Sequence, residues 1–222
     1  MNARLLSLLP CLGLASACVN TVNIDAEDKT RFSSLAASLP IQGQDNLRLR
    51  VKATRVDGSF DQRLDVDKLI RIDNSSFTGP DEVSGELDLT YYSVALGGAN
   101  RATNQFRTET YIGIAQTRFD LNLDNGSSQL RLDDNTVELY LQYAIYAPIS
   151  ESLDFGFSWA VSLGRESSGI SEIDLLLEFD AAEHLQITGG YRWFDYQYGT
   201  DAEDSNLEVD FEGPFLGIRI PF

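Results

Sequence analysis

Several things are scarce in this 222-residue chain, and each scarcity excludes something. It has no apolar run of the roughly 20 residues that a membrane-crossing helix needs. Mean hydropathy is −0.18, which also argues against a helical membrane protein. Cations are few: 17 Lys and Arg stand against 34 Asp and Glu, for a net charge of −17. A general nucleic-acid binder needs clustered cations to neutralise phosphates, so that class is excluded. There is one histidine, which limits His-based catalysis, and there are two cysteines. What is present is 43% hydrophobic and 10% aromatic residues, too many for a disordered acidic tail. The length suits one domain or two small ones. A transmembrane strand barrel stays open, because its polar and apolar positions alternate and cancel in an average.

Residues 1–17 read as a secretory signal peptide. Arg4 is the only charge before a mostly apolar stretch that ends in Ala15, Ser16 and Ala17. Cys11 would leave with the signal, so Cys18 would be the lone thiol of an exported chain. The stretch Leu14-Ala15-Ser16-Ala17-Cys18 resembles a bacterial lipoprotein signal. That resemblance implies acylation of Cys18, although Ala15 stands where the family prefers Leu. Val19, not an Asp, follows the cysteine and by the same resemblance favours sorting to the outer membrane. Ordinary cleavage near Ala17 is the alternative. Residues 18–44 read as a tether or a short amphipathic helix, since Phe32, Leu35 and Leu39 have helical spacing.

From residue 45 to 222 the period is two. Apolar residues alternate with polar or small ones from Leu47, Leu87, Thr108, Val137, Leu153, Ile173, Leu185 and Leu216 onward. Eight long half-buried strands follow from this. Short turns are expected near 97–105, 147–152 and 181–184, and longer acidic loops near 56–83, 122–135, 165–171 and 199–206. Short turns at one end and long loops at the other suit an outer-membrane barrel. An even strand count puts both termini at the periplasmic end. Asp57-Gly58 is a hairpin signal that would make ten strands instead.

The polar faces distinguish a membrane barrel from a soluble one. Gly156, Ser158, Ala160, Ser162 and Gly164 form a small-residue run that suits a tight barrel interior better than a solvated face. Arg48, Arg50, Lys52, Arg107, Arg192 and Arg219 stand on polar faces with Asp88, Glu109, Glu138, Asp174 and Glu178. Inside a barrel such charges must pair. The closing residues 213–222 resemble the C-terminal signature of small bacterial outer-membrane β-barrel proteins. Leu216, Ile218, Ile220 and the final Phe222 match it, while Pro221 departs from it. Residues 190–196 resemble the penultimate strand of such barrels. This implies an all-β, antiparallel up-and-down transmembrane β-barrel in the outer membrane of a Gram-negative bacterium. It also implies recognition of Phe222 by the barrel-assembly machinery, with lipid and lipopolysaccharide as neighbours.

Signals for chemistry are weak. His184 falls in an expected turn beside Glu183. Asp120 to Gly126 hints at a calcium loop, but the Gly is one place late and Arg131 stands where the final Glu belongs. A hairpin at Asn125-Gly126 explains the same residues. No cofactor or metal site is expected, and an eight-stranded barrel fills its own lumen. The expected function is a non-catalytic, monomeric membrane barrel with a structural or surface role. The alternatives are a soluble periplasmic lipocalin-like lipoprotein binding an apolar ligand, and an enzyme acting on lipid A or phospholipid.

Overall fold

Period-two patterning becomes strand almost throughout. The computed structural model describes residues 21–25, 30–42, 44–64, 69–72, 75–103, 106–164, 168–199 and 206–221. Its strands are β1 (Thr21–Asp25), β2 (Arg31–Ile41), β3 (Gln44–Leu64), β4 (Leu69–Ile72), β5 (Ser75–Thr78) and β6 (Asp81–Thr103). They continue with β7 (Phe106–Asp124), β8 (Gln129–Pro148), β9 (Leu153–Leu163), β10 (Gly169–Ala182), β11 (Leu185–Gly199) and β12 (Asn206–Pro221). Strands β2, β3 and β6 to β12 close into a nine-stranded barrel. Neighbours run antiparallel except β2 and β12, which pair in parallel and complete the ring. β1 lies parallel to the far end of β12, and β4–β5 is a separate hairpin.

The count corrects the expectation of eight or ten strands. Residues 31–41 form a strand, not a helix or tether. Phe32, Ala36 and Ser38 are buried on one face while Leu35 and Leu39 are exposed on the other. The spacing of Phe32, Leu35 and Leu39 follows the helical period and puts Phe32 and Leu35 on opposite faces of a strand, but ladders to β3 and β12 satisfy the strand's two edges and decide the element. A ring with an odd number of strands needs one parallel pair. The first and last described strands therefore begin and finish at opposite ends: β1 and β2 start at the long-loop end, and Pro221 lies at the short-turn end. Residues 1–20, including Cys18, and Phe222 lie outside the described residues.

Asp57-Gly58 makes no hairpin, because β3 runs through it in register with β6 to Leu64. The left-handed turn glycine is Gly126, with φ of 78°, between β7 and β8. There Asn125 Oδ1 accepts the amides of Ser127 and Ser128. Much of the expected loop sequence at 56–64, 81–83, 122–124 and 129–135 is strand.

One end of the barrel is filled by an apolar cluster that includes Val56, Phe60, Leu89, Phe119, Leu121, Tyr196 and Phe211. Phe119 and Tyr196 rings lie 4.6 Å apart. Phe77 of the β4–β5 hairpin belongs to the same cluster. Tyr146 sits over Gly156, its cross-strand partner, where a Cβ would come within 2.7 Å of the ring. That is the room the small-residue run on β9 provides.

Candidate functional site

The outer wall carries a belt of exposed apolar side chains. It includes Leu35 on β2, Val51 on β3, Val94 on β6, Ile112 and Ile114 on β7, and Leu139 on β8. It continues through Phe155, Phe157, Trp159 and Leu163 on β9, Leu175 and Leu177 on β10, Trp193 on β11, and Leu216 and Ile218 on β12. On β9 it extends from Leu153 to Leu163. Ten steps of about 3.3 Å at a tilt near 40° give a height of about 25 Å.

On the four long strands the apolar stripe changes face. Below the change it points outward, at Val51, Val94, Ile114 and Leu139. Above it points inward, at Val56, Leu89, Phe119 and Leu132. Ala53, Tyr92, Gln116 and Val137 form a single cross-strand row at the change. The outward rows above it are Arg55, Thr90, Arg118, Asn135, and then Asp57, Asp88, Asp120, Asp133. A strand side keeps its polarity while its surroundings stay the same. The switch is coordinated: it falls at one cross-strand row on four neighbouring strands.

Within the belt the lumen is filled with paired charges, in two layers. Nearer the short turns, Arg219 donates to both Glu109 oxygens, at 2.6 and 3.2 Å, and to Glu178 at 3.0 Å. Arg107 pairs with Glu178 and with Asp154 at 3.3 Å, and stacks 4.1 Å from the Tyr146 ring. Arg50 donates to Gln142 at 3.1 Å and lies 3.8 Å from Glu109. In the next layer Arg192 grips Asp174 with two bonds, 2.7 and 2.9 Å, and lies 3.1 Å from Glu172. Lys52 donates to Glu172 at 2.6 Å and to the Tyr91 hydroxyl at 2.9 Å, and Tyr91 donates to Glu172. Gln142, which accepts from Arg50, donates to Ser158 at 2.9 Å. These groups escape the cost of burial because each charge has an opposite within reach.

The sequence-derived interior set is thus divided. Arg50, Lys52, Arg107, Glu109, Asp174, Glu178, Arg192 and Arg219 come together in the lumen. Glu138 is also buried, but its partners are the hydroxyls of Thr117, Thr136 and Ser162. Arg48 shares β3's inward register with Arg50 at the short-turn mouth and is half-buried. Asp88 is corrected: it stands on the outer wall, paired with Arg55. β6 buries Leu87, Leu89 and Tyr91 above the switch, and that turns Asp88 out. Leu216 and Ile218 face outward in the belt, and Ile220 shares their register. Glu172 and Tyr91 were missed. Glu172 holds the same register as Asp174 and Glu178, which was a usable signal; Tyr91 had none, because its strand crosses the switch.

Above the belt on β11 and β12, Asp195, Glu208 and Asp210 bring their carboxylates within 4.8 Å of one another. Burial, then the charges of Glu208 and Asp210, push the Asp195 carboxyl up to about 7. His184 is exposed in the β10–β11 turn, its Nδ1 3.1 Å from the Pro221 carbonyl oxygen. No helix among the described residues is long and apolar enough to cross a membrane, which says nothing about strands.

No family model matches the chain, and no curated protein is significantly similar to it.

Proposed function

We propose that this chain is an integral outer-membrane β-barrel protein of a Gram-negative cell envelope. It is exported by a signal at 1–17, is non-catalytic, and has a structural or surface-interaction role. The observation that carries this is the four-strand switch of the apolar stripe. A water-soluble barrel keeps its apolar face inward along the whole strand, whereas here the stripe faces out over a height close to a bilayer's apolar band. The lumen supports the same choice. A lipocalin-like binder needs an apolar chamber, and this one is filled by arginines and carboxylates.

In this reading the short turns face the periplasm and the long loops and acidic rows face outward. Lipopolysaccharide and phospholipid surround the belt. The barrel-assembly machinery recognises the last strand, with Phe222 as its end. Thr21 stands at the long-loop end and Cys18 precedes it by three residues, so acylation of Cys18 would anchor the chain from the surface side. Extraction tests the proposal. With Cys18→Ser removing any lipid anchor, the barrel is expected to stay in the membrane through carbonate and high-salt washes and to leave only with detergent. Release into the soluble fraction would favour the lipocalin-like alternative. Deleting Phe222 is expected to lower the heat-modifiable, folded fraction; an unchanged fraction would remove that residue from the assembly signal.

A further inference from the structure

Between the two charge layers lies a cavity of about 40 Å³. Arg50, Arg192, Ser158, Asp174 and Glu178 line it, with Ala36 from β2. Two of the residues that line it carry a buried guanidinium N–H group that meets no protein acceptor, Arg50 Nε and Arg192 Nη1, and the Arg192 guanidinium lies 4.5 Å from the Phe215 ring. The carboxylates on the same wall are engaged: Asp174 takes two bonds from Arg192, and Glu178 serves Arg107 and Arg219. Unpaired donors of a buried cation are costly, and a polar chamber of this size has room for about two waters.

We propose that this chamber is a built internal water site, which bridges Arg192 to Arg50 and couples the two charge layers. A water molecule fits better than an anion. Arg50, Lys52, Arg107, Arg192 and Arg219 are already matched in the lumen by Glu109, Asp154, Glu172, Asp174 and Glu178, so a further negative charge would be unbalanced. A water accepts from either guanidinium and donates into the spare lone pairs of Ser158, Asp174 or Glu178.

The test fills the chamber. Ala36→Val adds apolar volume at a buried position and improves strand propensity. In a dry cavity it would raise the unfolding midpoint of the purified barrel. With bound water it is expected to lower that midpoint, because the water leaves and the two N–H groups stay orphaned. Ala36→Ser, which can join the water network, is expected to match the parent. A crystal structure of the parent barrel at high resolution supplies the second measurement. Ordered water within hydrogen-bond distance of Arg192 Nη1 is expected, and empty density there overturns the proposal. So does a raised midpoint in Ala36→Val, or a parent midpoint that depends on chloride at constant ionic strength, which would mark an anion site. None of these outcomes depends on which membrane holds the barrel.

Discussion

Replacing Arg192 with Met tests whether the lumen is held by charge pairing. Arg192 is 1% exposed, and its guanidinium makes both of the hydrogen bonds that hold Asp174. Glu172 would keep Lys52 and Tyr91, but Asp174 would be left as a buried carboxylate without its cation. Breaking a buried pair from one side costs about 3–5 kcal/mol. That is roughly two to three and a half orders of magnitude in the folding equilibrium. Removing the second partner as well, in Arg192→Met with Asp174→Leu, takes away the stranded charge and is expected to recover most of the loss. The assay is urea unfolding of the barrel refolded into phosphatidylcholine vesicles, followed by the fluorescence of Trp159 and Trp193 on the outer wall. A single-variant loss below about 1 kcal/mol, the range of exposed pairs, would refute the claim that this pair is desolvated. A double variant as damaged as the single one would show that the cost is packing and not charge.

Two further outcomes are expected. Gly156→Val would force the Tyr146 ring, already stacked under Arg107, out of its place; a loss of about 1–3 kcal/mol is expected in the same assay, and a neutral result would mean the ring is free to move. Asp195 binds its proton more tightly folded than unfolded. The stabilisation is therefore full below the usual carboxylate range near 4 and is lost as pH rises through about 7. Amide exchange at 206–210, corrected for its intrinsic pH dependence, is expected to speed up over that interval and to stay flat in Asp195→Asn; equal pH dependence in both chains would contradict the assignment.

How much of this was legible in the sequence depends on whether a strand stays in one environment. β9 and the middle of β10 lie within the belt, and there alternation alone separates Phe155, Phe157, Leu175 and Leu177 outside from Ser158, Asp174 and Glu178 inside. β6 crosses the switch. Period two groups Leu87, Leu89 and Tyr91 correctly on one face, but the same rule applied to the whole strand puts that face outside and Asp88 inside. Periodicity tells which residues share a side and is silent about the medium on that side. Residues 31–41 were missed for another reason: Ser34, Ala36 and Ser38 are too small to mark an inward face by their own hydropathy, and Phe32 and Leu35 fall on opposite sides. The charged residues were visible as a set, yet their partners were not. Arg219 meets Glu109 across 110 positions, and only the closed ring brings them together. The small-residue run on β9 could be read as an interior, but the ring that fills it, Tyr146, comes from the neighbouring strand.

The central claim is that the belt faces lipid, and one substitution addresses it directly. Ile112 is 56% exposed in the belt of β7, with no side-chain network to disturb. In Ile112→Lys, unfolding from vesicles is expected to show a loss of about 2–4 kcal/mol, the cost of a cation on a lipid-facing wall. A change within about 0.5 kcal/mol, as at an ordinary water-exposed site, would contradict a lipid-facing belt.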